Sequence, residues 1–132
     1  MKKEGILNEA LLKLIGSLGH TDRFTVSDAG LPIDRNTEKI DLAVTKGTIP
    51  FLDVLKPLLD EIVVEKIILA REMKEKSPAM YREIVHLAGN IPIEEVSHEE
   101  FKTLSYRTKA VIRTGECTPY ANVILQSGVN FS

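Results

Sequence analysis

The sequence predicts an α/β fold of three layers, in which helices cover both faces of a mixed, largely parallel sheet of about six strands. Two segments carry apolar residues at helical spacing, and helix start signals mark two more. Six short apolar or alternating runs lie between them and are typical of strands. With 132 residues, 43% of them hydrophobic, the chain is expected to form a single domain over residues 1–132.

The first element is a helix, because apolar residues between Ile6 and Leu18 recur every three or four positions. Gly19 follows where a left-handed residue commonly ends a helix, so His20 is expected just past the helix C-terminus. The run FTVSD then alternates between apolar and polar residues, which predicts a strand that Asp28 closes before the turn signal AGLP.

The middle of the chain alternates strand and helix. KIDLAV, residues 39–44, predicts a second strand, and EKIILA, residues 65–70, predicts a buried third one. Between them, residues 51–63 have helical periodicity that Pro57 interrupts, so a kinked helix or two short helices are expected. A further helix is predicted with Ser77 as N-cap, Pro78 at its first position and Gly89 past its end.

The last third places polar groups at the ends of elements. IPIEEV, residues 91–96, predicts a strand that leads into Ser97 and Glu100, which have the spacing of a capping box, so His98 is expected to open a helix. AVIR, residues 110–113, and YANVILQ, residues 120–126, predict the last two strands. Strand alternation in YANVILQ would place Tyr120 and Asn122 on one face.

Composition argues against several classes of protein. The net charge of −2 is spread in mixed sign and only 5% of residues are aromatic, so a nucleic-acid partner is not expected. Polar residues interrupt the N-terminal apolar run, unlike in a signal peptide, and no segment approaches the ~20 apolar residues of a membrane span. The single cysteine, Cys117, favours a reducing cytoplasm and is interpreted as a free thiol without a catalytic role.

Neither a bound metal nor a phosphate-bearing cofactor is predicted. The GTIP and TGE segments lack the spacing and the lysine of a phosphate-binding loop. The three histidines are far apart in sequence and lack regularly spaced partners, so no metal-ligand cluster is apparent.

Two of the histidines suit acid and base roles. His20 would feel the negative end of a helix dipole, which favours the imidazolium and therefore a proton donor. His98, at a helix N-terminus, would be favoured as the neutral base, although Glu99 and Glu100 oppose that effect. The alternative is that both are exposed residues at element ends. His86 lies within a helical pattern and is interpreted as structural or exposed.

Three further polar residues are candidates for ligand binding. Asp28 is expected at the carboxyl end of a strand, where ligand crevices of open α/β sheets form, although DAG is also an ordinary turn signal. Tyr120 and Asn122 offer a hydroxyl and an amide suited to a polyhydroxylated ligand, and a cross-strand polar pair is the alternative. The residues alone therefore predict a polar site capable of acid–base chemistry.

Several strings then connect the chain to a known family. KKEGILN, GHTD, DAGLP, KIDLA, SHEEFK and AVIRTGECTPYANVILQSGV occur in an order and spacing that closely resemble the ribose pyranase and fucose mutarotase family, on its ribose side. TGECTPYAN and the pair GHTD and DAGLP are the most specific strings. Residues 71–89 carry no matching motif and supply only scaffold.

The resemblance implies a cytoplasmic, cofactor-free isomerase that interconverts the pyranose and furanose forms of D-ribose and feeds a ribokinase. It implies that His20 of GHTD is the proton donor. It also implies that rings of subunits stack into a decamer with sites near subunit boundaries. The sugar contacts that it implies are Asp28, His98, Tyr120, Ala121 through its backbone, and Asn122.

The separation of His20 from Asp28 bears on that assembly. A strand between them rises ~3.3 Å per residue, which puts their backbones on the order of 15 Å apart. Either the GHTD turn folds back or a neighbouring subunit completes the site. Three other interpretations remain open: a non-catalytic sugar-binding accessory protein of ribose uptake, a structural ring subunit, and a mutarotase for another sugar such as fucose.

Overall fold

The computed structural model describes residues 1–131, which form six strands and five helices. The strands are β1 (Arg23–Ser27), β2 (Glu38–Asp41), β3 (Val64–Ala70), β4 (Ile93–Val96), β5 (Ala110–Arg113) and β6 (Val123–Ser127). The helices are α1 (Glu9–Ser17), α2 (Phe51–Glu61), α3 (Glu72–Lys76), α4 (Pro78–Ala88) and α5 (His98–Ser105). None of these helices is long and apolar enough to cross a membrane.

The six strands form one sheet in the order β2-β5-β1-β6-β3-β4. β6 runs antiparallel to both of its neighbours, β1 and β3, and the other three strand pairs are parallel. The predicted mixed, largely parallel sheet of six strands is therefore confirmed. The carboxyl ends of five strands and the amino end of β6 consequently meet at one edge, which we call the carboxyl edge.

Alternation along the strands divides the core between two faces of the sheet. Phe24 and Val26 of β1 pack in the larger cluster, together with buried residues of α1, α2 and α4. The smaller cluster lies on the opposite face, where Phe101 of α5 is fully buried against Ile68 and Ile124. Full burial of one such aromatic side chain contributes about 1.5–3 kcal/mol. Helices on both faces give the three predicted layers.

The end of α1 differs from the prediction. Asn8 caps its start by accepting a hydrogen bond from Leu11 N, and the helix ends at Ser17. Gly19 is not left-handed, so its predicted cap role is wrong; Thr21 adopts the positive φ of 71° instead. The reason is the GHTD turn itself, in which Asp22 Oδ2 accepts a hydrogen bond from Gly19 N at 2.8 Å.

Two predicted elements in the middle of the chain have different bounds. β2 ends at Asp41, because Asp41 Oδ1 accepts a hydrogen bond from Ala43 N and turns the chain. α2 is a single helix that includes Pro57, so the alternative of two short helices is wrong. Pro57 removes one backbone donor, whereas burial of Leu55 and Leu58 on either side of it favours a continuous helix.

The residue before α4, Ser77, does not have the capping role that the sequence predicts. Pro78 is the first helical residue and Gly89, with φ 57°, follows the last, as predicted. Ser77, however, makes no capping hydrogen bond with its side chain; its Oγ donates to Pro119 O at 2.6 Å and so anchors a distant loop. α3 was not predicted, since Met73 is its one buried residue.

Candidate active site

A cleft of about 510 Å³ opens at the carboxyl edge of the sheet. Loops after β1 and β5 form most of its wall, and the first turn of α5 closes one side. The lining residues with side chains of chemical interest are Asp28, His98, Glu116, Cys117, Tyr120 and Asn122. Four of the predicted site residues are thus brought together from segments that are distant in sequence.

Asp28 is held by the backbone that follows it. Its Oδ1 accepts hydrogen bonds from Gly30 N at 3.0 Å and Leu31 N at 2.9 Å, which is the Asx turn that the AGLP signal predicts. Asn122 contacts it twice: Asn122 Oδ1 accepts from Asp28 N at 2.8 Å, and Asn122 Nδ2 donates to Asp28 Oδ2 at 3.2 Å. Because each oxygen of a carboxylate can accept two hydrogen bonds, Oδ2 keeps capacity for a ligand hydroxyl.

Burial raises the pKa of the Asp28 carboxyl above its ordinary value. Hydrogen bonds from Gly30, Asn122 and Leu31 oppose that effect, as does the charge of His98. Desolvation is the larger influence because the carboxyl lines a cleft whose wall is partly apolar. The group therefore gives up its charge more easily than an exposed aspartate does.

Tyr120 and Asn122 reach the cleft by a route other than the predicted one. β6 begins at Val123, and Tyr120 has φ 63°, so the two residues do not alternate along a strand. A tight turn instead brings Asn122 N to donate to Tyr120 O at 2.8 Å. The predicted juxtaposition holds, but the predicted strand spacing is wrong. Ala121 is fully buried in the larger core cluster, and its N–H donates to Thr118 O.

His98 opens α5 as predicted, and Ser97 Oγ caps the helix by accepting from Glu100 N. The His98 ring lies edge-on to Tyr120, with centroids 4.9 Å apart. Its Nδ1 is the one buried side-chain polar atom within residues 1–131 that has no hydrogen-bond partner. An unpaired polar atom of this kind costs about 1–3 kcal/mol, so a polar ligand group that reaches it is favoured.

Sequence reasoning missed two residues that hold this cleft together. Glu72 of α3 accepts a hydrogen bond from His98 N through both carboxylate oxygens, at 3.0 and 3.1 Å. Glu116 accepts from Phe51 N and from Thr118 Oγ1, which ties the cleft loop to the start of α2. The TGECTP string contains Glu116 and was a usable signal, whereas nothing local distinguishes Glu72 from other surface carboxylates.

His20 lies elsewhere in the chain. It precedes β1, at the amino end of that strand, and lines a second cleft of about 430 Å³ with Glu61, Val63 and Phe131. Its Nε2 is 3.0 Å from Glu65 Oε2, and its side chain is 53% exposed. The GHTD turn therefore does not fold back toward Asp28, so the first of the two predicted alternatives, a site completed within one chain, is wrong.

Metal-ligating groups do not converge in either cleft. No set of three His, Cys, Asp or Glu side chains within residues 1–131 is arranged to hold an ion. Cys117 is exposed at the cleft rim, with its Sγ 3.7 Å from Gly115 O. The third histidine, His86, is exposed on α4.

Comparison with known proteins places this geometry in context. The model of the RbsD / FucU transport protein family matches residues 1–130. A D-ribose pyranase of Geobacillus thermodenitrificans is 54% identical over 132 residues, covering 100% of both chains. A D-ribose pyranase of Coprothermobacter proteolyticus is 53% identical over 131 residues, covering 99% of this chain and 100% of the relative.

Two solved structures share the fold. Bacillus subtilis RbsD complexed with D-ribose superposes with a TM-score of 0.96 at 49% identity, covering 99% of this chain and 100% of that one. The fucose mutarotase of Streptococcus pneumoniae in complex with L-fucose gives a TM-score of 0.78 at 24% identity, covering 93% and 94%. The match of the family model over nearly the whole length, with these relatives, shows that the chain belongs to the RbsD / FucU transport protein family.

Proposed function

We propose that this chain is a D-ribose pyranase, an isomerase that interconverts β-D-ribopyranose and β-D-ribofuranose by acid–base opening and reclosure of the sugar ring. One observation carries the proposal: proteins named D-ribose pyranase are more than half identical to this chain over its full length. The cleft at the carboxyl edge supports it, because it holds a carboxylate, an amide, a phenol and an imidazole around a space of suitable size for a pentose.

The reaction needs two proton transfers and no change of oxidation state. Opening a hemiacetal removes the proton of the anomeric hydroxyl and adds one to the ring oxygen, and reclosure through a different hydroxyl reverses both steps. We assign the donor role to His20 and treat His98 as the candidate base. A positioned acid or base contributes a factor of about 100 to 10,000 to the rate.

The remaining site residues would hold the sugar. Asp28 would accept a hydrogen bond from a sugar hydroxyl at the free capacity of Oδ2, while Asn122 and the Asx turn keep the carboxylate in place. Tyr120, and Ala121 through its backbone, would contact the other hydroxyls. Fixing several hydroxyls restricts the open-chain aldehyde to rotamers that can reclose.

His20 can reach the same sugar only from a second copy of the chain. The cleft that contains His20 is bordered by exposed apolar side chains, with Val63 47%, Val129 40% and Phe131 89% exposed, which favours burial against another surface. We infer that this cleft packs against the carboxyl-edge cleft of a neighbouring subunit. Contacts between two different patches generate rings where the rotation between subunits closes, and such rings are what the decamer implied by the family resemblance requires.

We also propose that the protein works in the cytoplasm as one domain over residues 1–132. The free Cys117 and the single sheet that includes all six strands support these two points. Cell fractionation with an antibody against the chain tests the location. Limited proteolysis tests the domain, since one resistant fragment of nearly full length is expected.

Saturation-transfer NMR of D-ribose tests the activity. Wild type is expected to accelerate exchange between the pyranose and furanose signals, and folded His20→Ala to lose that acceleration by at least 100-fold. L-Fucose is the comparison sugar, since preferential acceleration of its exchange would favour a fucose mutarotase. Ribose binding without acceleration would favour an accessory binding protein instead.

Mixed oligomers test the shared site. His20→Ala and Asp28→Asn chains are each expected to be inactive, because each removes one half of every site. Unfolding and refolding them together should restore activity, since some interfaces then combine an intact His20 with an intact Asp28. Activity that stays absent in refolded mixtures of the correct mass would contradict a site built from two chains.

A further inference from the structure

A row of side-chain hydrogen bonds leads to His20 across three strands at the amino end of β1. Arg23 Nε of β1 donates to Gln126 Oε1 of β6 at 2.8 Å. Gln126 Nε2 donates to Glu65 Oε1 of β3 at 2.7 Å, and Glu65 Oε2 lies 3.0 Å from His20 Nε2. Strand register supports the row, because Arg23 pairs with Gln126 and Gln126 pairs with Lys66, next to Glu65.

The chemistry of the four groups gives this row one direction. A guanidinium can only donate, so Gln126 must offer its oxygen to Arg23 and its NH₂ group to Glu65. An ionised carboxylate can only accept, so the hydrogen between Glu65 and His20 belongs to His20 Nε2. The neutral imidazole is then the Nε2–H tautomer, and Nδ1 is left as the nitrogen that gains and loses a proton.

Glu65 is ionised in this setting. The hydrogen bond from Gln126, followed by that from His20, lowers the pKa of Glu65 below its ordinary value. The neighbouring carboxylates have other partners: Glu61 accepts from Ile6 N and lies 3.6 Å from Lys2 Nζ, and Asp22 accepts from Gly19 N and Lys109. Of the residues that the structure describes, Glu65 is therefore the carboxylate that sets the state of the His20 ring.

We propose that Glu65 is a positioning residue that holds the His20 ring with its proton on Nε2 and so makes Nδ1 the atom that exchanges a proton with the sugar. In ring opening the Nδ1–H bond breaks and an O–H bond forms at the ring oxygen, as the bond between that oxygen and the anomeric carbon breaks and the anomeric hydroxyl gives its proton to the base, His98. His20 is left neutral, with its Nε2–H donated to Glu65. The reverse transfer during reclosure restores the imidazolium. The catalytic part rests on the proposed function, whereas the tautomer does not.

The Glu65→Gln variant gives a specific spectroscopic test. Because Arg23 fixes Gln126 as a donor, the new amide must turn its oxygen to Gln126 and its NH₂ group to His20. His20 Nε2 then becomes an acceptor, so the preferred neutral tautomer is expected to change from Nε2–H to Nδ1–H. Two-bond ¹H–¹⁵N spectra of histidine-labelled protein at alkaline pH, with His20 assigned from His20→Ala, distinguish the two forms.

Two further variants test whether the direction of the hydrogen bond at His20 Nε2, rather than the loss of a negative charge from the sheet, decides the tautomer. Gln126→Leu removes the amide but keeps the carboxylate, so His20 is expected to retain Nε2–H. Glu94→Gln makes the same chemical change on β4, where Glu94 lies 3.6 Å from Lys66 Nζ, and is expected to leave His20 and activity unchanged. A His20 that keeps Nε2–H in Glu65→Gln, or that shows no tautomer preference in wild type, would overturn the proposal.

Kinetics connect the tautomer to the reaction. In Glu65→Gln the amide NH₂ group faces His20 Nε2 in place of the carboxylate that accepts the Nε2–H, so the imidazolium that donates from Nδ1 is no longer supported. The sugar contacts remain, so kcat is expected to fall about 10- to 100-fold with KM within about twofold. An unchanged kcat would overturn the catalytic part. If wild type does not accelerate ribose exchange at all, the proposed function fails, and the ¹⁵N spectra still decide whether Glu65 controls His20.

Discussion

At the carboxyl end of β1, Asp28 is held by backbone N–H groups and by a buried amide, whereas at the amino end His20 is held by one half-buried carboxylate. Asn122, which contacts Asp28, is 1% exposed, and the His20 side chain is 53% exposed. A group held by backbone cannot move without its loop, whereas a group held by side chains can adjust. Under the proposed function, the first arrangement suits recognition of the sugar hydroxyls, and the second suits a proton donor that adjusts to a site on another subunit.

The carboxyl end is expected to be the less tolerant of added atoms. A Cβ at Gly115 would lie 1.9 Å from Thr48 O, which is backbone and cannot turn away. Gly115→Ala is therefore expected to lower the free energy of unfolding by about 3 kcal/mol, seen as a fall in Tm of roughly 10 °C.

Gly19→Ala is the matched change at the amino end. Its Cβ would meet Asp22 Oδ2 at 3.6 Å, an ordinary contact, and its backbone is not left-handed. The free energy of unfolding should change by less than about 0.5 kcal/mol. Equal losses in the two variants would show that the two ends do not differ in rigidity.

A smaller effect is expected where one side chain links the cleft loop to a helix. Pro50, at the start of α2, makes no side-chain cap, and Glu116 Oε1 accepts from Phe51 N in its place. Glu116→Ala removes that bond and the contact with Thr118, at an expected cost of about 1–2 kcal/mol in chemical denaturation.

Glu116→Gln is the control for shape. Its amide can still accept from Phe51 N and can donate to Thr118 Oγ1, so most of the stability should return. A glutamine variant as unstable as the alanine variant would mean that negative charge at the helix N-terminus is responsible rather than the two hydrogen bonds.

The sequence predicted the sheet well because its signals are local. Apolar alternation in FTVSD and the capping residues Ser97 and Gly89 depend on neighbours within a few positions. A predicted capping role was wrong where a partner distant in sequence decides. Ser77 donates to Pro119, 42 residues away, and loses the cap role that its position predicts.

The candidate site was predictable only in part for the same reason. The motif strings identified Asp28, His98, Tyr120 and Asn122, which the fold brings into one cleft. The strand predicted between His20 and Asp28 already separated the two, but the sequence could not show that the GHTD turn does not fold back, since His20 is held by Glu65 of β3. Glu65 was missed as well, because its link to His20 crosses 45 residues of sequence.

The smallest expected effect is the change in folding stability at acid pH, and it has opposite signs at the two ends of β1. The pKa of Asp28 is raised above 3.8 by burial, so between 3.8 and that raised value the folded chain binds more protons than the unfolded one. The contribution of Asp28 to stability therefore grows as pH falls through this window.

At the amino end, the pKa of Asp22 is lowered from 3.8, chiefly by the hydrogen bond from Gly19. Its contribution is present above 3.8 and is lost as pH falls through the lowered value.

Denaturation of Asp28→Asn and Asp22→Asn as a function of pH compares the two ends directly. Without Asp28, the free energy of unfolding should fall more steeply than in wild type as pH decreases toward 3.8, because a proton-binding group of the folded state is gone. Without Asp22, the fall below 3.8 should be shallower, by less than about 1 kcal/mol because the group is exposed and screened. Activity adds a second readout: under the proposed function ribose exchange uses the ionised Asp28, so it should decline at a pH above the ordinary aspartate pKa of 3.8 in wild type and in Asp22→Asn alike. Parallel acid profiles for all three proteins would mean that the backbone-held and side-chain-held ends respond to protons in the same way.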